Sequence, residues 1–490
     1  MANTKNAERN RNLSKHAENK WLILALLVIA QFMVVLDVTV VNVALPSMAS
    51  ALHFASNNLQ WVVTAYTLTF GGFLLLGGRA ADIYGRRNIF IGSVFFFALM
   101  SFLCGMAATD TQVIIARAAQ GLAGAFMSPA ALSIVISEFK EGQERNTALG
   151  IWAAVSAGGA AVGLLLGGIL TQYLNWRWNF FVNVPVGIFV LLASIRMLPH
   201  HIGEDNKKLK LDLPGAALAT AGLMSLVYGL SKAPKDGWNS KIVWEFIAAG
   251  IVLLIGFVIN ERKSKQPMLP LSLFRIRNVL GGNAAFLAIS CTLFSMFFFM
   301  TLYVQQVLGF SPVKTGVCFL PVTLVIATLS GVVSKIVPKI GYKPTLNLGP
   351  LVLALGLFVI AHTMKVGGNY WHNVFPGLAL VASGMGLTFV SGTLAATSGV
   401  PKRLSGIASG VLNTSQQVGG AIGLAVLSAV AFSTVKTQTH AGVAAKYAQV
   451  HGYQSALHVG AGLALVAAVA VFFLVKNEIV DPSGAITGGA

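Results

Sequence analysis

Long apolar stretches dominate this sequence and recur along almost its whole length. Fourteen of them, each of roughly 20 residues, follow one another from residues 21–44 to residues 453–475, with short polar segments between them. A helix of that length crosses the apolar core of a bilayer, which is about 30 Å thick, and it satisfies its own backbone hydrogen bonds there. The sequence therefore predicts an all-α membrane protein with fourteen transmembrane helices, because a soluble fold would have to bury every stretch in one core.

Charged residues are scarce and lie mostly between the apolar stretches. Only 10% of the 490 residues are charged, against about 25% in soluble proteins. With the N-terminus placed in the cytoplasm, 25 of the 34 lysines and arginines fall in cytoplasmic segments and 8 fall outside. Because positive residues accumulate on the cytoplasmic side, we expect a multi-pass protein of the inner (cytoplasmic) membrane with both termini in the cytoplasm. The net charge of +18 then requires no nucleic-acid partner.

An internal repeat divides the chain into two halves. The loop GRAADIYGRR at residues 78–87 has a weaker copy, SKIVPKIGYK, at residues 334–343. Each loop follows the second stretch of a six-stretch unit when the seventh and eighth stretches are set aside, and parallel repeats of this kind build transporters from two helical bundles. The predicted segments are a cytoplasmic tail (1–20), an N-terminal six-helix bundle (21–199), linkers with two inserted helices (200–265), a C-terminal six-helix bundle (266–476) and a second cytoplasmic tail (477–490).

Two charged residues lie well inside apolar stretches, Asp37 in the first and Arg117 in the fourth. A charge within the bilayer is costly and usually belongs to a proton or substrate pathway. Counted along helices that run in opposite directions, both residues lie roughly 6–8 Å outward of the membrane midplane. Asp37 is therefore the candidate proton-coupling carboxylate, and Arg117 is its candidate partner. The alternatives are a permanent structural pair for Asp37 and bonds to backbone carbonyls for Arg117.

Glycine marks two further segments. In the loop at residues 78–87 a glycine permits a tight turn between charged residues, and this loop either links the bundles in one access state or only orients the protein by its charge. The candidate switch residues are Gly78, Arg79, Asp82, Gly85, Arg86 and Arg87. In the fifth stretch Gly159, Gly163 and Gly167 recur every four residues, which leaves one helix face almost without side chains and suits close helix packing.

Polar and aromatic side chains within the apolar stretches suggest a substrate cavity. Three amide side chains of the thirteenth stretch share one helical face, and they either line a cavity or join helices by hydrogen bonds. Aromatic walls suit apolar ligands of variable shape and attract cations, although such residues also pack against lipid or neighbouring helices. The cavity candidates are Trp61, Tyr66, Gln120, Phe298, Tyr303, Asn413, Gln416 and Gln417.

These motifs resemble those of a known transporter family. The loop at residues 78–87 resembles the signature between the second and third helices of the major facilitator superfamily. Four further segments resemble motifs of its fourteen-helix drug:proton antiporter branch: LDVTVVNVALP (36–46), RAAQG (117–121), WRWNFFVNVPVG (176–187) and LSGIASGVLNTSQQVGGAIG (404–423). The resemblance implies two six-helix bundles with two inserted helices, proton coupling through Asp37 with help from Arg117, and a loop that stabilises the outward-facing state. One departure is Leu164, directly after Gly163 in the glycine-rich fifth stretch. The antiporter motif of this branch usually has proline at that position.

The function expected from these features is transport by rocking of one bundle against the other. We expect a monomeric, proton-coupled antiporter that exports small amphipathic or lipophilic compounds, with cations favoured over anions. The alternatives are a flippase or exporter of lipids or lipid-linked precursors on the same scaffold, and a membrane receptor without transport. The sequence contains no Walker loop, nucleophile elbow or zinc motif, so we expect neither an enzyme nor a cofactor or metal site.

Overall fold

Helices long and apolar enough to cross a membrane make up most of the chain. A computed structural model describes residues 2–55, 58–139, 143–198, 211–401, 404–480 and 486–487, and fourteen such helices lie within this part. They are α1 (Ala2–Ala51), α2 (Trp61–Tyr84), α3 (Arg86–Met106), α4 (Asp110–Glu138), α5 (Gln143–Tyr173), α6 (Trp178–Met197), α7 (Leu213–Asp236), α8 (Lys241–Lys263), α9 (Arg277–Val307), α10 (Pro312–Ile340), α11 (Lys343–Thr363), α12 (Phe375–Thr397), α13 (Ser405–His440) and α14 (Ala445–Leu474). The predicted number of helices and the predicted helical class are confirmed.

The two ends of the described chain and the end of helix α9 differ from the predicted membrane spans. The membrane-crossing part of α1 begins at Lys20, but the helix itself extends back through the predicted tail to Ala2. The last turn of α9 is a π-helix, Tyr303–Val307. After α14 the described residues contain two short antiparallel strands, β1 (Ile479–Val480) and β2 (Ile486–Thr487). The first residues of the predicted segment of linkers and inserted helices (200–265), up to residue 210, lie outside the described residues.

Glycines with positive φ end the second helix of each bundle. Gly85 follows α2 with a φ of +91°, and Gly341 follows α10 with a φ of +79°. A side chain is strained in this region of backbone space, whereas glycine adopts it freely. The two glycines occupy matching positions of the internal repeat, so the repeat seen in the sequence corresponds to the same chain reversal in both halves.

The helices form two six-helix bundles joined by a helical hairpin. Helices α1–α6 pack against one another, as do α9–α14, while α7 and α8 form a closely packed pair. Through α7 this pair contacts both α2 of the first bundle and α13 of the second. The hairpin therefore lies beside the α2–α13 contact and touches both halves of the molecule.

The two bundles share an extensive hydrophobic cluster toward one end. At the end opposite the termini, one cluster combines Val43 of α1 with Tyr303 of α9, and the amide Nε2 of Gln305 donates to the carbonyl oxygen of Val43 at 2.9 Å. Toward the termini, Phe90 of the first bundle and Val337 of the second belong to separate clusters, while Leu75 of α2 packs against a smaller cluster that contains Val279 of α9 and Val411 of α13. The apolar contact between the bundles is therefore more extensive at the end opposite the termini than toward them.

Candidate functional site

A buried ion pair joins α1 to α4 inside the first bundle. The guanidinium Nη1 of Arg117 lies 2.5 Å from the carboxylate Oδ2 of Asp37, and the side chains are 1% and 0% exposed. The structure therefore brings together the two residues that the sequence places at matching depth. A charge pair removed from water needs further hydrogen bonds to its remaining polar atoms, and the surrounding helices supply them.

Amide groups complete the contacts of the Asp37 carboxylate. Its Oδ1 accepts hydrogen bonds from Gln120 Nε2 and Asn183 Nδ2, both at 2.9 Å. The Gln120 amide is oriented by Arg117, whose Nη1 donates to Gln120 Oε1 at 2.8 Å. Every one of these partners donates to Asp37, and this set of contacts suits an ionised carboxylate.

Arg117 also contacts the second helix. Its Nε donates to the carbonyl oxygen of Val62 at 3.1 Å, and its guanidinium carbon lies 4.2 Å from the centre of the Tyr66 ring. A cation over an aromatic face is attracted by the negative face of the ring. Tyr66 and Gln120, which the sequence suggests as cavity residues, thus belong to the ion-pair cluster. The Tyr66 hydroxyl has no hydrogen-bond partner among the described residues.

Sequence reasoning did not single out Asn183 as part of this cluster. Asn183 lies near the start of α6, is 1% exposed, and donates to Ser101 Oγ of α3 at 3.1 Å as well as to Asp37. The available signal was its place in the motif WRWNFFVNVPVG, where it is a polar residue between Val182 and Val184. Polar side chains within a membrane helix usually face the bundle interior, but the motif alone does not say which partner they meet there.

A cavity of about 140 Å³ lies in the second bundle, between α9, α12 and α13. Its lining is mainly apolar, with four polar but uncharged side chains. It is formed by Phe286, Ile289, Ser290, Leu293, Phe294, Met385, Thr388, Phe389, Gln416 and Gln417. Of the predicted cavity residues, Gln416 and Gln417 line this space. A wall of this composition suits the apolar part of a ligand, with a few hydrogen bonds to orient it.

The other predicted cavity residues lie elsewhere in this conformation. Phe298 and Tyr303 are both 0% exposed in the bundle core, and the Tyr303 hydroxyl donates to the carbonyl oxygen of Lys365 at 2.8 Å. They follow Phe294 along α9, beyond the residues of that helix that line the cavity. Trp61 donates from Nε1 to Ser231 Oγ at 3.3 Å in the contact between α2 and α7. Asn413 is exposed, and its Nδ2 donates to the carbonyl oxygen of Ser409 in its own helix.

The predicted switch loop makes contacts in two directions. Arg79 donates from Nη1 to the carbonyl oxygens of Gln266 and Pro267, at 2.9 and 3.2 Å, in the linker that leads to the second bundle. Arg87 donates to the carbonyl oxygens of Ile195 and Leu198 at the end of α6. Arg86 pairs with Asp82 at 3.3 Å on the surface. A Cβ added at Gly78 would lie at an ordinary contact distance, 3.6 Å, from Pro129. A switching role for this loop stays a prediction.

The glycine face of α5 packs directly on α1. A Cβ added at Gly167 would lie 2.8 Å from the backbone of Val40, one at Gly163 would overlap the Thr39 hydroxyl, and one at Gly159 would lie 3.2 Å from the ring of Phe32. At Gly163 and Gly167 only a residue without a side chain permits this approach, whereas at Gly159 a side chain would be tight. These contacts lie on both sides of Asp37 along α1, so the bare face of α5 adjoins the ion-pair segment.

The residue that departs from the antiporter motif lies at the contact between the bundles. Leu164 is 2% exposed, and its carbonyl oxygen would lie 2.5 Å from a Cβ added at Gly316 of α10. A few residues further along α5, a Cβ at Gly168 would lie 2.7 Å from the carbonyl oxygen of Pro312. Helix α5 therefore touches α1 with one face and α10 of the second bundle with another.

Comparison with known proteins agrees with this architecture. A family model described as Major Facilitator Superfamily matches residues 27–424. The chain is 39% identical over 479 residues to the puromycin resistance protein pur8 of Streptomyces alboniger, covering 95% of this chain and 93% of that protein. It is 38% identical over 432 residues to the cephamycin export protein CmcT of Amycolatopsis lactamdurans, covering 88% of each.

Solved structures with little sequence similarity share the fold. The POT family transporter PepTSo superimposes with a TM-score of 0.67 at 17% identity, over 93% of this chain and 98% of that one. A bacterial homolog of the human lysosomal transporter Spinster, in an inward-facing and occupied conformation, gives a TM-score of 0.66 at 16% identity over 93% and 96%. Two bundles, an internal repeat, a charged pair within the membrane and the family match all agree: the chain is a multi-pass membrane transporter and belongs to the Major Facilitator Superfamily.

Proposed function

We propose that this protein is a proton-coupled antiporter that exports amphipathic organic compounds across the cytoplasmic membrane, with both termini in the cytoplasm. The observation that carries the proposal is the fully buried Asp37–Arg117 pair, because a titratable pair within the bilayer suits proton transfer better than it suits stability. The relatives named for puromycin resistance and for cephamycin export support organic compounds as cargo.

The ion pair suggests how one conformation is selected. We propose that this conformation is the inward-facing state, because the apolar contact between the bundles is more extensive away from the termini, which we place in the cytoplasm. Its contacts fit an ionised Asp37. A proton that reaches Asp37 from the outside would remove its charge and weaken its attraction to Arg117. The desolvation cost of Arg117 would then no longer be balanced, which favours a rearrangement of α1 and α4. Once the site faces the cytoplasm, release of the proton there restores the ion pair.

Cargo and proton occupy separate places in this scheme, so they need a mechanical link. Asp37 is 0% exposed and is not among the residues that line the cavity in the second bundle. Helix α5 connects the two bundles, because its glycine face contacts α1 at Thr39 and Val40 while Leu164 contacts α10. A shift of α1 on protonation would therefore press on the helix that touches the second bundle. Packed interfaces that move between discrete arrangements transmit such shifts.

The cavity composition refines the expected cargo. Its lining contains three phenylalanines, and no side chain of the lining is charged. Recognition would therefore come from apolar contact, from the ring faces and from the amides of Gln416 and Gln417. Ring faces attract a cationic cargo without a carboxylate, whereas they give no comparable attraction for an anion. We propose cargo with a large apolar part that is neutral or cationic.

A lipid or lipid-linked precursor is a second candidate cargo. Phe389 lines the cavity and is also 45% exposed on the surface of the second bundle. A cavity wall that continues to the outer surface of a helix offers a route for a chain that enters from the bilayer. Movement of fluorescent phospholipids between leaflets of proteoliposomes, without any drug present, would favour this candidate over organic compounds.

The test of proton coupling uses purified protein in liposomes with an imposed pH gradient. Proton movement is recorded with an internal pH dye when a lipophilic cation or an antibiotic is added. We expect cargo-dependent proton flux with the wild type, no such flux with Asp37→Asn, and wild-type flux with Asp236→Asn, which changes an exposed acid. If Asp37→Asn still moves protons with cargo, the coupling site lies elsewhere.

A further inference from the structure

Two carboxyl groups come together at the end of the inserted hairpin that lies nearest the termini. Asp212 precedes α7 and is 7% exposed, and Glu261 lies in the last turn of α8 and is 4% exposed. Asp212 Oδ2 and Glu261 Oε1 are each 2.9 Å from the position that a Cβ on Gly215 would occupy. The two oxygens are therefore at most twice that distance apart, in a place largely removed from water.

The two groups differ in how their oxygens are satisfied. Asp212 Oδ1 accepts the backbone N–H of Gly215 at 2.9 Å, and the amide of Asn260 donates to both carboxylate oxygens of Asp212, at 3.0 and 2.9 Å. Glu261 Oε2 accepts the backbone N–H of Leu269 at 2.9 Å. Glu261 Oε1, in contrast, is buried and has no hydrogen-bond partner among the described residues. A buried acceptor without a donor is costly, and a proton on that oxygen would turn it into a donor.

We propose that Asp212 and Glu261 form a carboxyl–carboxylate pair that binds one proton, a second protonation site separate from Asp37. Two buried carboxylates so close together repel each other, and one shared proton removes most of that repulsion. A proton on Glu261 Oε1 would also provide the missing hydrogen bond, donated toward Asp212.

The charges around the pair agree with one bound proton. Arg79 of α2 is the charged group that faces Glu261 from the first bundle, and its guanidinium is occupied by Gln266 and Pro267. On the hairpin itself, the neighbouring Arg262 and Lys263 are exposed. With one proton the pair carries a single negative charge opposite the single positive charge of Arg79. Without the proton, two negative charges would face that one cation in a buried place.

The position of the pair gives the bound proton a structural consequence. The linker that leads to the second bundle is held from one side by Glu261, through Leu269, and from the other side by Arg79 of the loop at residues 78–87. Gain or loss of the proton changes the charge at this junction of hairpin, linker and loop. The site therefore makes the junction sensitive to pH on the side of the termini. It goes beyond the proposed antiport, because it requires neither cargo nor Asp37.

The experiment is infrared difference spectroscopy of the full-length protein in lipid vesicles, recorded without cargo as the pH is stepped. We expect the wild type to show the carbonyl stretching band of a protonated carboxylic acid that disappears as the pH rises. Glu261→Gln should lose this band and release one proton fewer over the same steps. Glu245→Gln, which changes an exposed acid of the same helix, and Asp37→Asn should both retain it.

A second variant protects the test against misfolding. Asp212→Asn keeps a side chain that caps a helix as well as aspartate does, and it removes the second carboxylate, so the shared band should also disappear from that pH range. An unchanged band in a folded Glu261→Gln protein would overturn the proposal. Loss of the wild-type band on addition of Na⁺ at constant pH would overturn it as well, because the pair would then bind a metal cation. Failure of proton flux with cargo leaves these spectra unchanged, so the two proposals fail separately.

Discussion

Removing one member of the Asp37–Arg117 pair should destabilise the protein more than the loss of one contact suggests. Asp37→Asn leaves Arg117, at 1% exposure, as a buried cation without a counter-charge. Its remaining contacts are the Val62 carbonyl, the Gln120 amide oxygen and the Tyr66 ring. The new amide nitrogen would also face a donor, because all three polar partners of Asp37 donate to it.

The size of the effect follows from the burial of both groups. Breaking a buried ion pair by removing one partner costs about 3–5 kcal/mol, whereas replacing both charges by neutral groups is often close to neutral. We therefore expect Asp37→Asn and Arg117→Gln each to lower the free energy of unfolding by roughly 3–5 kcal/mol. The double variant should lose less than about 3 kcal/mol, which gives a coupling energy of at least about 3 kcal/mol.

The assay is unfolding of the four proteins in mixed detergent micelles, followed by the fluorescence of the eight tryptophans. The exposed pair Lys241–Glu245, separated by 3.6 Å at the start of α8, provides the control cycle, and its coupling should stay below about 1 kcal/mol. If the two substitutions at Asp37 and Arg117 add within about 0.5 kcal/mol, the groups act independently. The reasoning from burial would then be wrong, and so would the selection of the inward-facing state by this pair.

Three further predictions address packing, topology and cargo. Gly163→Leu should insert normally into the membrane but lose most transport, because its side chain would overlap Thr39. Gly158→Leu should transport normally, because a Cβ at Gly158 meets nothing within 4 Å. Equal activity of the two variants would exclude the close-contact hypothesis. In a protein without its three native cysteines, Tyr84→Cys should react with a membrane-impermeant thiol reagent only from the cytoplasm and Asn239→Cys only from outside, and the reverse pattern would overturn the orientation. Phe294→Ala should weaken binding of an apolar cargo about tenfold, or about 1.4 kcal/mol, and Phe473→Ala, at a side chain 73% exposed on α14, should leave binding unchanged.

Much of the architecture could be predicted from the sequence because a bilayer imposes simple conditions. Each spanning segment must satisfy its own backbone and exceed a minimum length, so the apolar stretches predict the fourteen helices. The same condition makes a charge within an apolar stretch conspicuous, and Asp37 and Arg117 therefore stand out from the sequence alone. The repeated loop likewise predicts the two halves, since Gly85 and Gly341 reverse the chain at equivalent positions.

The tertiary structure alone decided which side chains meet. In a soluble helix the apolar face indicates the core, but a membrane helix is apolar toward lipid and toward its neighbours alike. The sequence therefore does not distinguish Phe298, which is 0% exposed, from Phe473, which is 73% exposed. For the same reason Gln120 could be assigned to a cavity although it binds Asp37, and Asn183 gave no sign of its partner. The pairing of Asp212 with Glu261 depends on how the two ends of the hairpin fold together, because residues 49 positions apart in the chain become neighbours only once α7 packs against α8.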